Sequence, residues 1–430
     1  MKQLVSFWFK LMAKLYIATK KPIVVAVAGS VGKTSTKLIL RELIRTERRV
    51  SCMDDSYNNG LGLYLSVFEQ KIPTKQRSIS SWLGLMAKSI RAFFTKAPEV
   101  IILEYGIDRP GDMSRLIKFI RPDISILTAV TPEHMEFLGN IDTVGKEESV
   151  ILRETKLLAV ANVVDVDSQY LDSINYSGYG SEQSLAFHEI DRWNETGYTV
   201  SFFVEDWALE SVPTKFISEA LIRQMSGALL VAKRIGITKK ATFEVLASIE
   251  PAAGRMRVLK GKDGSTLVDD TANFSPNAGI EALKSIKKIP ARQHIAILGN
   301  MHELGNFQET GFSAVASEFP GIDTLLLVGN LSTNIFGRYA RGLGFVPEKT
   351  LFSFDNAIDA GVYASTHMNL RDAVILVKGP FGGYYLEETT RLLLRDAKDW
   401  NRLTRQSEFW QRTKKQHFGK KYNPPLSYGR

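Results

Sequence analysis

The sequence predicts an α/β protein of two domains, and three observations carry that prediction. Short apolar, β-rich runs recur along the chain, segments able to form helices separate them, and a glycine turn joins the first run to the first helix. Continuous apolar runs suit strands buried on both faces, so a parallel sheet with crossover helices is the simplest topology. A length of 430 residues exceeds the roughly 100–200 residues of one domain, which makes a second core necessary.

In chain order, Ile23 to Ala28 (IVVAVA) reads as a buried strand and Lys33 to Arg45 as the helix after the turn. Val100 to Leu103, Ile124 to Thr128 and Leu157 to Ala161 continue the same sheet. Tyr198 to Val204, rich in aromatic and β-branched residues, suits an antiparallel strand, and Lys215 to Ile235 a long helix. Pro251 to Gly254 reads as a hinge. Beyond it Ser265 to Val268, His294 to Leu298, Thr324 to Val328 and Ala373 to Val377 supply a second set of strands. The expected organisation is an N-terminal amphipathic helix over 1–21, a central domain over 22–252, a second α/β domain over 253–410 and a poorly ordered basic tail over 411–430.

Gly29-Ser30-Val31-Gly32-Lys33-Thr34-Ser35 falls between the first strand and its helix, where backbone N–H groups can cradle phosphate oxygens. Lys33 would neutralise the β- and γ-phosphates of ATP, and Thr34 would place its hydroxyl on Mg²⁺. The bland alternative, a turn that merely connects two elements, is opposed by the strand before it. The longer Walker pattern would also need a glycine where Val27 stands.

Other segments fall into a family order with this short loop. They are Tyr57-Asn58-Asn59-Gly60-Leu61-Gly62, Leu103-Glu104-Tyr105-Gly106, Arg121-Pro122-Asp123 through His134, Gly254-Arg255-Met256, Asp269-Asp270-Thr271-Ala272-Asn273, Leu298-Gly299-Asn300-Met301 and Val377-Lys378-Gly379. Their joint order over residues 22 to 395 resembles the Mur ligases, most closely the branch that adds D-alanyl-D-alanine. The resemblance implies a P-loop central ATPase domain with a mostly parallel sheet, followed by a Rossmann-like α/β C-terminal domain. It also implies an ATP-dependent ligase that activates a carboxylate as an acyl phosphate for attack by an amine.

Carried over by motif, the resemblance places Thr34, Glu104 and His134 at metals and Gly29 to Ser35 on the nucleotide. Arg255, Asp270 and Asn273 become ATP-side contacts and Lys378 a substrate contact. Asn58 and Asn59 would face the transferring phosphoryl group, or else serve as left-handed turn residues. Glu104 and His134 likewise have a plainer reading, as a strand-end carboxylate and a loop histidine. Many members carbamylate a lysine between the histidine and the end of the next helix. Here either a carbamylated Lys146 or the Glu148 carboxylate fits that register. Asn300, Ala272 and Ser275 depart from the family pattern, which bears on the amine substrate more than on ATP. Only 28 residues precede Gly29, so no UDP-sugar-binding domain is expected ahead of the loop, and the carboxylate substrate would be peptide, lipid-linked or nucleotide-linked.

Composition narrows the classes further. Hydrophobic residues form 44% and charged residues 23% of the chain, which excludes a largely disordered protein. Cys52 is the sole cysteine, so no internal disulfide can form, and a cytoplasmic setting is expected. The net charge of +9 favours acidic partners, and no acid occurs before Glu42. On a helix Leu4, Trp8, Leu11, Met12 and Leu15 share one face, with Lys2, Lys10, Lys14 and Lys21 towards the other. Such a helix would either rest on an anionic membrane or pack on the central domain. Three functions follow: a peptide ligase, a glutamate-adding or partner-dependent ligase on the same scaffold, or a P-loop nucleotide or nucleic-acid binder. The second-half motifs disfavour nucleic acid.

Overall fold

The protein was described from a computed structural model covering residues 2–54, 60–73, 78–194 and 196–423. The chain forms two compact units. Unit 1 comprises residues 1–194, 198–214 and 220–249, and unit 2 comprises 195–197, 215–219 and 250–430.

Unit 1 is built on strands β1 (Ile23–Ala28), β2 (Val50–Ser51), β3 (Val100–Glu104), β4 (Ile124–Leu127), β5 (Leu158–Asn162), β6 (Ser177–Tyr179), β7 (Ala186–Asn194), β8 (Gly197–Val204) and β9 (Trp207–Pro213). They lie in the order β2-β3-β1-β4-β5-β6-β7-β8-β9. The strands from β2 to β6 pair in parallel, whereas β8 and β9 are antiparallel with an irregularity between Val200 and Phe202. The all-apolar runs sit at the centre, where Val24 to Ala28 and Val100 to Leu103 are buried on both faces. The strands β6, β7 and β9 carry mixed, short or polar patterns, and for that reason the apolar runs alone point only to β8. The helices of unit 1 are α1 (Lys2–Lys20), α2 (Lys33–Ile44), α3 (Gly60–Ser66), α4 (Ile79–Arg91), α5 (Asp112–Phe119), α6 (Met135–Leu138), α7 (Ile141–Arg153), α8 (Glu219–Ile235) and α9 (Lys239–Leu246).

Of the two roles expected for the leucine face of the first helix, packing on the central domain is taken instead by a neighbouring arc. Val5, Phe9, Ala13 and Tyr16 are the buried residues, while Leu4, Leu11 and Leu15 remain exposed, as does Phe7. The helix carries two apolar arcs, and the one with the aromatic pair fits the body. The Tyr16 ring packs on Phe68 and edge-on to Phe93, both at 5.3 Å between centroids. Among the described residues no helix is long and apolar enough to cross a membrane.

Unit 2 holds β10 (Arg257–Lys260), β11 (Thr266–Asp270), β12 (Gln293–Leu298), β13 (Thr324–Val328), β14 (Leu351–Phe354) and β15 (Ala373–Lys378) in the order β10-β11-β15-β12-β13-β14. All pairs are parallel except β10 with β11. Its core gathers Leu267, Ile295, Ile297, Leu326, Ile375 and Val377.

The expectation of a poorly ordered tail over 411–430 fails for residues 411–423, while 424–430 lie outside the described residues. Glu408–Phe418 is a helix, and Phe418 and Tyr422 join the core. Lys414 is fully buried, donating to Glu388 Oε1 at 2.6 Å and lying 3.3 Å from Glu387 Oε1. A run of lysines looks solvated in sequence because its acidic partners, twenty-odd residues earlier, are not visible as partners.

Candidate active site

β1 ends beside β3 on one side and β4 on the other, at the point where strand order reverses. Open α/β sheets bind ligands at such a crevice, outside the carboxyl ends of the strands. The loop Gly29 to Gly32 leads from there into α2, whose first N–H groups lack partners within the helix. Gly29 has φ of 124°, and a Cβ on it would lie 2.2 Å from Thr128 Oγ1. Only glycine fits that backbone. Gly32, at φ 87°, turns the chain into the helix.

Neighbouring elements hold the loop in place. Thr128 Oγ1 donates to the Val31 carbonyl at 2.6 Å, and the Ser30 hydroxyl accepts from Thr131 N–H at 3.0 Å. Asn162 at the end of β5 and Gln224 on α8 both donate to the Thr128 carbonyl, at 2.8 and 3.1 Å. Buried polar groups satisfied in this way fix one conformation of the loop.

Lys33 donates to the carbonyls of Gly29 and Ser30 and lies 3.4 Å from Glu133 Oε2. Burial alone would depress its ammonium, but Glu133, Glu148 and Glu104 outweigh this and hold it above the ordinary lysine value. Thr34 Oγ1 lies 3.2 and 3.1 Å from the two oxygens of Glu104, the last residue of β3. Lys37 pairs with the same carboxylate at 3.1 Å. Three residues apart on α2, Thr34 and Lys37 share a face and both reach β3. Thr34 and Glu104 thus set hard oxygens side by side, the donors that suit a Mg²⁺ shared with phosphates and water. Among the described residues no group of three or more His, Cys, Asp or Glu forms a metal cage.

The alternatives for the carbamate position now separate. Glu148 is buried on the inner face of α7, and its Oε2 accepts from Gly29 N–H at 2.9 Å. Burial, only partly offset by Lys33, pushes its carboxyl up to about 8. Lys146 points outward, 71% exposed, and pairs with Asp142 one turn earlier at 2.6 Å. That partner raises its affinity for a proton, the opposite of what carbamylation needs. Of the two expected alternatives, Lys146 and Glu148, the fold turns Glu148 to the loop and Lys146 away from it, since residues two apart on a helix face about 200° away from each other.

His134 stands at φ 52° just before α6, with Nε2 3.6 Å from Asp108 Oδ1. Asn58 and Asn59 lie outside the described residues. Ser35 is buried at the start of α2. Lys37 and Glu133 did not stand out in the sequence, though a lysine three positions after Thr34 on the same helical face is a signal that could have found the first.

In unit 2, Asp270 and Lys378 are register partners at the ends of β11 and β15. Their side chains form a buried ion pair, with Lys378 also donating to the Asn273 carbonyl at 3.2 Å and lying 5.1 Å from the Phe274 ring. Burial pulls the Lys378 ammonium down while Asp270 opposes the shift. The other Asp270 oxygen accepts from Met256 N–H at 3.2 Å, which ties down the turn that carries Arg255. Lys378, expected as a substrate contact, is here only 1% exposed and braces Asp270 and the 254–256 turn.

Two family models match the chain, the Mur ligase middle domain over residues 27–221 and the Mur ligase, glutamate ligase domain over 254–381. The chain belongs to the Mur ligases. These are ATP-dependent carbon–nitrogen ligases, so the protein is an enzyme of that family. Among curated relatives, the UDP-N-acetylmuramoyl-tripeptide–D-alanyl-D-alanine ligase of Rickettsia prowazekii is 23% identical over 83% of this chain and 75% of its own length. The ligase of the same name from Bacillus subtilis is 22% identical over 70% of this chain. This Mur ligase spans only 60% of that relative's length. Among solved structures, the MurF ligase of Thermotoga maritima in complex with ADP matches with a TM-score of 0.72 at 22% identity, covering 92% of this chain and 84% of that one. That likeness establishes the fold of the present Mur ligase.

Proposed function

We propose that this Mur ligase uses ATP to activate a peptide carboxylate and joins it to the amine of an amino acid or dipeptide, as a step in cell-wall precursor synthesis. The observation that carries the reading is the meeting of Lys33, Thr34 and Glu104 at the switch point of the unit 1 sheet. A carboxylate oxygen attacks the γ-phosphorus and ADP departs, leaving an acyl phosphate. The amine nitrogen then attacks the acyl carbon, phosphate leaves and the new amide nitrogen loses a proton.

In the first step Lys33 supplies positive charge to the transferring phosphoryl group, and the N–H groups of the loop and of the α2 N-terminus hold phosphate oxygens without reorganising. A Mg²⁺ held by Thr34 and Glu104 would offset the remaining phosphate charge. Glu148 fixes the backbone at Gly29, so the loop presents one shape to the nucleotide. Arg255, Asp270 and Asn273 are proposed as nucleotide contacts on the family resemblance alone, with Lys378 acting through Asp270.

The names of the relatives support a UDP-N-acetylmuramoyl tripeptide as the carboxylate and D-alanyl-D-alanine as the amine. Asn300, where the family pattern has an acid, argues for testing other amines. Its amide is engaged with Asn330 at 3.0 Å and Tyr384 at 2.9 Å. A glutamate-adding reaction is the second reading, supported by the matched glutamate ligase domain. We also propose a cytoplasmic setting with peripheral contact of α1 at a membrane.

Phosphate release measured with ATP, Mg²⁺ and each candidate carboxylate, with D-alanyl-D-alanine, glutamate and other amines in turn, tests the reading. Release stimulated by one amine, with the condensed product seen by mass spectrometry, is expected. Nucleotide binding with no amine-stimulated release across the set would overturn it.

A further inference from the structure

We propose that the outer faces of α1 and α4 together form a docking surface for an anionic phospholipid bilayer, an inference independent of the ligase reading. On α1 the exposed residues Leu4, Phe7, Leu11 and Leu15 recur at helical spacing and make one stripe. On α4 and the turn after it Ile79, Leu83, Ile90 and Phe94 make a second. These eight side chains are between 44% and 85% exposed, an unusual amount of large apolar surface for two adjoining helices.

The helices run side by side. Trp8 Nε1 donates to Ser89 Oγ at 3.3 Å near the middle, and Tyr16 packs edge-on to Phe93 at the far end. Their inner faces share one cluster, in which Val5 and Phe9 meet Trp82 and Leu65. With those faces occupied by the same cluster, both outer stripes turn to solvent.

Charge selects the occupant. No acid occurs in residues 1–41 or 70–98, the stretches that contain both helices. Lys10 and Lys14 flank the first stripe, and Lys88 and Arg91 flank the second, all exposed. Apolar stripes flanked by cations, on helices that themselves contain no acid, suit the headgroup boundary of an anionic bilayer, where the apolar side chains enter and the cations meet lipid phosphate. A second copy of the same face would bring like charges together. Nucleic acid would leave the apolar stripes uncovered.

Flotation of the full chain at physiological salt, with vesicles of phosphatidylcholine alone or containing one part in three phosphatidylglycerol, tests the proposal. Binding is expected to the anionic vesicles and to be much weaker with the neutral ones. Each basic residue removed, as in Lys88→Gln or Arg91→Gln, should weaken it roughly fivefold. The pair Leu11→Gln and Phe94→Gln should abolish it, with an unchanged melting temperature and unchanged turnover of soluble substrates. A folded chain that floats with neither vesicle, or with both alike, would overturn the proposal. So would binding indifferent to these substitutions, or a dimer by light scattering that Leu11→Gln and Phe94→Gln dissociate, since that would make the surface a self-interface.

Discussion

The carboxylates around the P-loop and those under the C-terminal helix are similarly buried but differently balanced. In unit 1, Glu104 and Glu148 sit with Glu133 around two lysines, Lys33 and Lys37, and Glu148 has only a backbone N–H and a distant share of Lys33. Its carboxyl is accordingly pushed up to about 8. In unit 2, Glu387 receives both forks of the Arg405 guanidinium, at 3.0 and 2.7 Å, and Glu388 receives Lys414 and Arg391, each at 2.6 Å. Burial pulls the Arg405 guanidinium down, but Glu387 more than offsets it and holds the charge in place. Charges matched in this way hold the C-terminal helix in place, whereas the loop cluster has one carboxyl more than it has lysines and favours a further cation.

Breaking the balanced cluster should have the largest effect. Lys414→Met leaves Glu388 and Glu387 short of a cation in the core, and a loss of about 3–5 kcal/mol in unfolding free energy by denaturant titration is expected. A loss under about 1 kcal/mol would show that the helix Glu408–Phe418 is dispensable.

Lys33→Ala addresses the unmatched cluster. It should leave the denaturation midpoint nearly in place while amine-stimulated phosphate release falls by on the order of 10²–10³. Retained turnover in a folded variant would remove Lys33 from the phosphoryl site.

The same cluster has a pH signature. In the unfolded chain a glutamate ionises near about 4.3, but Glu148 in the fold keeps its proton up to about 8. The folded state therefore binds the extra proton between these values. The stability it contributes is complete below the lower one and is lost as pH rises through the upper, at up to about 1.4 kcal/mol per pH unit. Glu148→Gln should match the parent protein at pH 4 and unfold later than it at pH 9, with nucleotide absent. Parallel curves across that range would mean that Glu148 is already charged.

The smallest effect is expected at Lys146. Its pair with Asp142 is exposed and screened by solvent and contributes little, so Lys146→Ala should keep both stability and turnover. Lost activity that a short-chain carboxylic acid restores would return the carbamate to this position.

The regions differ in legibility as well as in charge. The P-loop, Thr34 and Glu104 could be read because their chemistry depends on residues fixed by local strand-turn-helix geometry, and the sequence shows that geometry directly. Glu148 and Lys146 could not be separated, since the choice depends on which face of α7 turns inward. The tail was misread for the same reason: Lys414 is a buried residue only when Glu387 and Glu388 are brought beneath it.

By itself the sequence determined the alternation of strands and helices, the two sheets' central strands and the order of motifs that marks the family, because these rest on periodicity and nearest neighbours along the chain. Tertiary structure decided which arc of α1 is core, that Lys37 reaches Glu104, and that Lys378 braces Asp270. Each of these depends on side chains far apart in sequence competing for one buried space, and burial, unlike periodicity, is a property of the packed whole.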